Sequence, residues 1–228
     1  MHDPKSDLSS SVALDPRDAH VKTDRPKRAG IFAYWPNRIT AFRFVGALAL
    51  FALFALNAED PDPEQAGLFM STAFWLFIVT SLSDWLDGYL ARSQNVVTAF
   101  GRIADPFVDK VLVLGSMIFL ATMPWSRDSF PAWIVVVILA REFLVTGIRG
   151  YIESVGKAFP ADLFGKFKMV LQCLAIGFAL GARAFNWPEA LYDFIVSSTD
   201  VLVWLTLLTT VGSGLSYVFK TQKILSDS

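Results

Sequence analysis

Six apolar segments, separated by short polar breaks, constrain this chain more than any other feature of its sequence. Each is close to the ~20 residues that an α-helix needs to cross a hydrocarbon core of about 30 Å. Backbone groups inside a bilayer find no water to bond, so helices are the structure expected for such segments. We therefore predict an all-α integral membrane protein with six transmembrane helices, at residues 40–57, 67–92, 100–123, 130–154, 163–186 and 194–219.

The composition agrees with this class. Of the 228 residues, 54% are hydrophobic and 18% are charged, whereas about a quarter of the residues in a soluble domain are charged. The formal net charge of −1 gives no sign of nucleic-acid binding, and we expect membrane lipid but no nucleic acid as a partner. Both histidines, His2 and His20, precede the first apolar segment, so acid–base or metal chemistry in the body must use carboxylates.

The two ends of the chain are polar. Residues 1–30 are rich in Ser, Asp and Lys and show no apolar period, which predicts a disordered tail. They also lack the apolar core of a signal peptide, so secretion is not implied. The aromatic stretch GIFAYWPNRI, with basic residues around it, predicts a short interfacial segment at the lipid headgroups. We expect the membrane domain to span residues 31–220, with a short C-terminal tail at 221–228.

The charges of the connections predict the orientation of the helices. Lys and Arg concentrate before the first segment, in the second and fourth connections and at the C-terminus. The opposite side carries only Arg127 and Arg183, together with a group of acidic residues between the first two segments. Because cytoplasmic loops carry an excess of Lys and Arg, we predict that both termini lie in the cytoplasm.

Residues 83–110 place four aspartates, two arginines and two glycines in this apolar chain. Their spacing puts one group along a face of the second helix and another along a face of the third. The positions concerned are Asp84, Asp87, Gly88 and Ala91 on the second helix and Gly101, Asp105 and Asp109 on the third. The short polar link between the two helices predicts antiparallel packing, with the four carboxylates converging just inside the cytoplasmic boundary.

Four crowded carboxylates beside a membrane cannot all stay ionised without cations. Mg²⁺ or Mn²⁺ fits such an oxygen-only set better than zinc, and two ions about 4 Å apart suit phosphoryl transfer. The small residues Gly88, Ala91 and Gly101 would let a ligand approach the backbone, and Arg92 would add a positive charge for phosphate. The alternative is a purely structural role for the aspartates, as helix caps or ion pairs.

The complete pattern, Asp-x-x-Asp-Gly-x-x-Ala-Arg, eight residues, Gly-x-x-x-Asp-x-x-x-Asp, resembles the signature of the CDP-alcohol phosphatidyltransferases. The resemblance covers residues 35 to about 220 and implies six helices in the inner (cytoplasmic) membrane, with the active site facing the cytoplasm. It implies two divalent ions, with Asp84 and Asp105 as bridging ligands and Asp109 as the base that accepts the proton of the acceptor hydroxyl. The implied metal ligands are Asp84, Asp87, Asp105 and Asp109.

The resemblance also implies a binding site for the CDP-lipid. Residues 36–43, PNRITAFR, are similar to the family's Pro-Asn-x-x-Thr-x-x-Arg opening, although Pro-Asn followed by Thr is also an ordinary helix start. The residues implied to contact the CDP-lipid are Asn37, Thr40, Gly88, Ala91, Arg92, Thr98 and Gly101.

The acceptor is a separate question. The sequences Ala-Arg-Glu at 140–142 and Gly-Lys-x-Lys at 165–168, with Arg149 between them, resemble the pattern of the phosphatidylglycerophosphate synthases within the family. A buried Arg141 would be costly without a partner, which favours a role in binding a phosphate. The alternatives are a structural pair of Arg141 with Glu142 or an aspartate and, for the lysines, ordinary positive-inside residues. The residues expected to bind the acceptor phosphate are Arg141, Arg149, Lys166 and Lys168.

Together these features predict transfer of the phosphatidyl group from CDP-diacylglycerol to glycerol 3-phosphate, releasing CMP. Within the family, phosphatidylglycerol (giving cardiolipin), serine and inositol phosphate stay open as acceptors. An intramembrane prenyltransferase also uses aspartate pairs but lacks the Gly-x-x-Ala-Arg spacing. A divalent cation transporter would need acidic residues deeper in several helices. The oligomeric state, including a homodimer, is left open.

Overall fold

The computed structural model describes residues 35–56, 63–94, 99–156 and 163–226. These ranges form six α-helices and contain no strand, which confirms the all-α prediction for this part of the chain. The predicted tail at 1–30, the first residues of the predicted interfacial segment and Thr98 lie outside the described residues. The helices are α1 (Trp35–Leu56), α2 (Pro63–Gln94), α3 (Ala99–Thr122), α4 (Ala132–Ser154), α5 (Leu163–Ala184) and α6 (Glu189–Ser226).

Within the described residues, three helices are long and apolar enough to cross a membrane by length and composition. The stretches are Asn37–Leu56 in α1, Phe167–Ala184 in α5 and Glu189–Gln222 in α6. A shorter apolar stretch, Gly67–Ser83, lies in α2. Charged side chains interrupt the apolar sequence of α3 and α4. The apolar helices are those of a multi-pass membrane protein.

Helices α1, α2 and α6 extend beyond the apolar segments from which they were predicted, whereas α4 and α5 are two residues shorter than predicted. Helix α1 begins at Trp35, so the end of the predicted interfacial segment continues into the first helix without a break. Its second residue is Pro36, which the first turn of a helix tolerates because the N–H there needs no intrahelical partner. Helix α6 continues to Ser226, into the predicted C-terminal tail. Backbone bonding in a helix does not stop where the apolar sequence stops, so polar turns extend the helix at its ends.

A tight connection reverses the chain between α3 and α4. The backbone N–H groups of Ser126 and Arg127 donate to the carbonyl of Met123, at 3.2 and 3.0 Å, and Phe130 N–H donates to the Ser126 carbonyl at 2.9 Å. The Ser126 hydroxyl donates to the carbonyl of Leu120 at 2.6 Å. These bonds bring α3 and α4 side by side in opposite directions.

Side-chain bonds between helices show that one end of the bundle is polar. Near this end, side-chain hydrogen bonds link α1 to α3, α3 to α4, α4 to α5 and α4 to α6. The bonds involve the first half of α1, α3 and α5, the middle and second half of α4 and the second half of α6, so α1, α3 and α5 run in one direction and α4 and α6 in the other. We call this region the polar end; its bonded side chains are Thr40, Arg43, Asp105, Asp109, Lys110, Arg141, Glu142, Thr146, Arg149, Lys168, Ser213 and Tyr217.

The other half of α1 and α3 packs through apolar side chains, and we call it the apolar end. The ring of Phe119 lies 5.5 Å from the rings of both Phe51 and Phe54, measured between centroids. Gly115 lets Phe51 approach α3 closely, since a Cβ at this position would lie 2.2 Å from the Phe51 Cζ. A buried core that includes Leu50, Met117, Leu120, Ile134, Ile138 and Ile176 continues from this contact. The packing holds α1 beside α3 and so aligns their polar residues.

Candidate functional site

Two aspartates one helical turn apart form the contact of α3 with α1 at the polar end. The Thr40 hydroxyl donates to Asp105 Oδ1 at 2.5 Å. One turn further along both helices, the Arg43 guanidinium forms an ion pair with Asp109 Oδ1. Thr40 and Arg43 are almost fully buried. Asp105 and Asp109 are spaced i, i+4 on α3, and their partners Thr40 and Arg43 are spaced i, i+3 on α1. Residues at either spacing share a helix face, so the two pairs form one contact between the helices.

Asn37 belongs to the same buried face of α1 as Thr40 and Arg43, since successive positions follow an i, i+3 spacing. The sequence predicts that Asn37 and Thr40 contact a ligand, whereas it assigns Arg43 no role beyond its place in the motif. A charged side chain inside an apolar helix is costly unless it has a partner, and this was the signal that could have identified Arg43.

The remaining predicted residues of the aspartate pattern lie on the facing ends of α2 and α3. Helix α2 contacts α3, and both helices are described through this region. The side chains of the predicted residues are outside the described part of the structure, so the convergence of four carboxylates stays a prediction. The residues concerned are Asp84, Asp87, Gly88, Ala91 and Arg92 on α2 and Gly101 on α3.

The donor set at this position fits a hard divalent cation. Asp105 and Asp109 offer carboxylate oxygens from one face of α3, and neither His nor Cys lies among the site residues. Among the described side chains, which exclude those of Asp84 and Asp87, no three metal-binding groups cluster. The two α2 aspartates would complete an oxygen-only set, which Mg²⁺ and Mn²⁺ prefer.

A cavity of about 610 Å³ opens beside Asp109, between α3, α4, α5 and α6. Four cationic and three acidic side chains lie on its wall, giving a small positive excess. They are Lys110, Arg141, Arg149 and Lys168, and Asp109, Glu142 and Glu153. Three of the four predicted acceptor residues are thus brought together next to the predicted base. The fourth, Lys166, lies in the first turns of α5, and its side chain is not among those described.

A buried ion network organises one wall of this cavity. Arg141 Nη1 donates to Glu142 Oε1 at 2.8 Å, and Lys168 Nζ donates to the same oxygen. Arg141 Nη2 also donates to the hydroxyl of Ser213 on α6, at 2.8 Å. Arg141, Glu142 and Lys168 are each less than a tenth exposed. The pair of Arg141 with Glu142 considered from the sequence is therefore present, and the same arginine also faces the cavity. The burial of Lys168 distinguishes it from an ordinary solvated lysine.

Helix α6 contributes to this wall through Tyr217, which is buried. Arg149 Nη2 donates to its hydroxyl at 3.1 Å, and the Arg141 guanidinium lies 5.5 Å from its ring centroid, within the range of a cation–π contact. On the other side of the cavity, Lys110 Nζ donates to the hydroxyl of Thr146.

Sequence reasoning missed Lys110 and Tyr217 as parts of this site and considered Glu142 only as a structural partner of Arg141. Lys110 directly follows the last aspartate of the pattern, and Glu142 directly follows Arg141, so charge next to a predicted site residue was an available signal. Adjacent helical residues do not normally face each other, and the bond between Arg141 and Glu142 depends on the reach of the arginine. Tyr217 gave no local signal, since its role depends on the packing of α6 against α4.

Comparisons with known proteins identify related chains. A family model described as CDP-alcohol phosphatidyltransferase matches residues 33–212. The CDP-diacylglycerol–glycerol-3-phosphate 3-phosphatidyltransferase of Bacillus subtilis (strain 168) is 34% identical over 197 residues, covering 85% of this chain and 97% of the relative. The protein of the same name from Rickettsia bellii (strain RML369-C) is 33% identical over 189 residues, covering 82% and 94%. A cardiolipin synthase (CMP-forming) from Oryza sativa subsp. japonica is 30% identical over 162 residues, covering 66% and 48%.

Proposed function

Because the chain belongs to the CDP-alcohol phosphatidyltransferase family, we propose that it transfers the phosphatidyl group of CDP-diacylglycerol to glycerol 3-phosphate. The products are phosphatidylglycerol phosphate and CMP. The observation that carries this proposal is the shared cavity, in which Asp109 lies on one wall with the cations Arg141, Arg149 and Lys168. The names of the Bacillus subtilis and Rickettsia bellii relatives support the same donor and acceptor.

Asp109 is the general base of the proposed reaction. The acceptor hydroxyl gives its proton to the Asp109 carboxylate while its oxygen attacks the lipid-side phosphorus of the CDP-lipid. The bond from that phosphorus to the oxygen that leaves with CMP breaks, so the phosphatidyl group passes to the acceptor. A base must lie within hydrogen-bond reach of the proton it accepts, and the position of Asp109 on the cavity wall supports this role. The contact with Arg43 orients the carboxylate.

Members of the family use divalent metal ions, and we assign two such ions, Mg²⁺ or Mn²⁺, to the four aspartates Asp84, Asp87, Asp105 and Asp109. When bound, they supply positive charge to the phosphate oxygens on which negative charge develops. The bond from Thr40 to Asp105 supports the proposed ligand role, because it restricts the orientation of that carboxylate.

The CDP-lipid is proposed to bind along α1, the second half of α2 and the start of α3. Burial of Asn37 and Thr40 on the face of α1 that meets α3 supports their part in this site. Small residues on the facing ends of α2 and α3 would allow the diphosphate to approach the backbone. The proposed contacts are Asn37, Thr40, Gly88, Ala91, Arg92, Thr98 and Gly101.

The acceptor phosphate is proposed to bind Arg141, Arg149, Lys166 and Lys168, with Lys110 as an additional cation on the wall. Charge-assisted bonds from arginine and lysine to phosphate are stronger than bonds between neutral groups. The cavity volume of about 610 Å³ lies within the range of roughly 300–1,000 Å³ that is typical of small-molecule sites. It leaves room for the acceptor next to the reacting phosphate of the donor.

We infer that all six helices cross the inner membrane, with both termini and the active site on the cytoplasmic side. The opposite directions of the two sets of helices and the grouping of charged side chains at one end support this topology. The positive-inside bias of the connections orients that end towards the cytoplasm. The bounds of the membrane domain at 31–220 and of the two tails remain predictions from the sequence.

The test uses the purified protein with CDP-diacylglycerol, Mg²⁺ and one acceptor at a time. The acceptors are glycerol 3-phosphate, phosphatidylglycerol, serine and inositol phosphate, and CMP release and the lipid product are measured. We expect rapid CMP release with glycerol 3-phosphate, with phosphatidylglycerol phosphate as the product. No CMP release with any acceptor would overturn the assigned reaction, and release with another acceptor alone would overturn the assigned substrate.

Phosphatidylglycerol is the second candidate acceptor, because one relative is named a cardiolipin synthase. Its phosphate is a diester with one negative charge, whereas the phosphate of glycerol 3-phosphate carries up to two. Several cations around one cavity suit the more highly charged group, which favours glycerol 3-phosphate. No described feature favours serine, a prenyl diphosphate or a transported cation.

A further inference from the structure

One carboxylate oxygen of Glu142 accepts hydrogen bonds from two cationic side chains on different helices. Glu142 Oε1 accepts from Arg141 on α4 and from Lys168 on α5. The Glu142 side chain is only 10% exposed, so this carboxylate is an integral part of the cavity wall. It has no part in the proton transfer, and no binding role was assigned to it above.

Without a carboxylate between them, Arg141 and Lys168 would be two buried positive charges in close proximity. Removing a charge from water is costly unless an opposite charge compensates it. Lysine is a compact, strongly hydrated charge on a flexible stem, so an unpaired Lys168 would turn towards water. Glu142 therefore keeps its ammonium group inside the cavity.

The two cations depend on Glu142 to different degrees. The guanidinium of Arg141 is also held by the Ser213 hydroxyl and by the ring of Tyr217. Its stem packs against Gly214, where a Cβ would lie 3.2 Å from the Arg141 Cγ. The described bond of Lys168 is the one to Glu142. Loss of the carboxylate is thus expected to displace Lys168 more than Arg141.

Both cations keep bonding capacity for a ligand. Lysine has three N–H donors and the guanidinium of arginine has five, more than the described bonds to Glu142 and Ser213 use. An incoming phosphate can therefore bond to Arg141 and Lys168 while Glu142 still holds them. The carboxylate would also repel a phosphate that approached it directly, which confines the ligand to the cationic side of the wall.

We propose that Glu142 is a positioning residue that determines acceptor specificity: it holds Arg141 and Lys168 at the spacing that receives an acceptor phosphate monoester. The proposal rests on the proposed function, because it assumes that glycerol 3-phosphate occupies this cavity. It predicts that Glu142 affects acceptor binding and the preference for a phosphorylated acceptor, while leaving donor binding and the chemical step largely unchanged.

Two substitutions separate the position of the carboxylate from its charge. Glu142→Asp keeps the charge but is one methylene shorter, so it cannot reach both cations; Glu142→Gln keeps the shape but removes the charge. In both variants we expect the KM for glycerol 3-phosphate to rise about tenfold, as for the loss of one hydrogen bond between charged groups. The kcat and the KM for CDP-diacylglycerol should stay near wild type, and the preference for glycerol 3-phosphate over glycerol should fall. An unchanged KM for glycerol 3-phosphate in Glu142→Asp would overturn the positioning role.

Glu153→Gln is the matched control. Glu153 lies on the same cavity wall and the same helix, and it is exposed. Its substitution removes the same charge from the cavity without removing a carboxylate bonded to Lys168. We expect the KM for glycerol 3-phosphate to remain near wild type. An increase equal to that in Glu142→Gln would mean that overall cavity charge, and not positioning, sets the KM, and would overturn the proposal.

A double-mutant cycle of wild type, Glu142→Asp, Lys168→Met and the double variant keeps the proposal testable if Glu142→Gln folds poorly, because Glu142→Asp retains a carboxylate beside the buried cations. If Glu142 acts through Lys168, the two effects on the KM will not be additive; additive effects would overturn the proposal. Wild-type protein that releases no CMP with glycerol 3-phosphate would instead contradict the proposed function. Wild-type activity with unchanged KM values in the Glu142 variants would contradict the positioning role alone.

Discussion

The polar and apolar ends of the bundle hold the same helices together by different kinds of contact. At the polar end, α1 meets α3 through the pairs Thr40–Asp105 and Arg43–Asp109. At the apolar end, the same two helices meet through the rings of Phe51, Phe54 and Phe119. Hydrogen bonds and ion pairs depend on the direction and charge of each partner, whereas the hydrophobic effect is non-directional.

This difference separates two kinds of mutational effect. At the apolar end, a substitution changes packing volume, and its cost appears in the stability of the whole bundle. At the polar end, removing one partner leaves another buried polar group uncompensated and also alters the cavity. We therefore expect substitutions at the apolar end to lower stability and substitutions at the polar end to change kcat or KM.

Removal of divalent ions should produce the largest effect and should act on the polar end. Dialysis against EDTA is expected to abolish CMP release, because the proposed aspartate ligands hold the ions that neutralise the phosphate oxygens. Addition of Mg²⁺ or Mn²⁺ should restore it. CMP assays before and after addition make the test, and full activity in EDTA would contradict the metal assignment.

Asp109→Asn should have the next largest effect. We expect kcat to fall by about 10²–10⁴-fold, the usual contribution of a general base, while binding of the CDP-lipid remains measurable. CMP release and CDP-diacylglycerol binding are measured on the same preparation. The control is Asp128→Asn, whose side chain is 98% exposed in the connection between α3 and α4. Wild-type kcat in the Asp109 variant would rule out its role as the base.

Gly115→Ala tests the apolar end. The new Cβ would lie 2.2 Å from the Phe51 Cζ, so the ring must move and lose its stacking with Phe119. Overpacking of this kind costs about 1–3 kcal/mol, and the apparent unfolding temperature in detergent should fall while both KM values remain unchanged.

The control for this change is Gly212→Ala, where a Cβ meets nothing within 4 Å among the described residues. Alanine in an open helical position is neutral or stabilising. Equal unfolding temperatures for the two variants would contradict the assigned packing, and a raised KM in Gly115→Ala would contradict the separation of the two ends.

Arg149→Ala should have the smallest effect of the four. We expect the KM for glycerol 3-phosphate to rise about tenfold, or about 1.4 kcal/mol, with little change in kcat, because a single charged hydrogen-bond donor is lost. The control is Arg127→Ala, an exposed arginine in the connection between α3 and α4. An unchanged KM in Arg149→Ala would favour an acceptor without a phosphate monoester.

The six apolar segments made much of the fold predictable. Each of the six predicted segments corresponds to a helix, because apolar length is enough to identify a helical segment. The ends of the helices were less accurate: α1 begins at Trp35 and α6 continues to Ser226. Polar turns at helix ends have the composition of loops, so a search for apolar stretches stops before them.

The candidate site was predictable only in part. The spacing of Asp105 and Asp109 predicts a shared helix face, since the period of a helix is known in advance. The clustering of Arg141, Arg149 and Lys168 at one cavity followed from the resemblance, but the bond from Lys168 to Glu142 did not. These residues are distant in the sequence, and no local pattern specifies which side chain will meet which.

By itself, the sequence determined the helical class and the family and predicted carboxylate chemistry, because these depend on residue types and on spacings within a single helix. Only the tertiary structure decided that Arg43 pairs with Asp109, that Glu142 joins two cations and that Tyr217 supports two arginines. Contacts between helices depend on how the whole bundle packs, and packing is a collective result of many side chains.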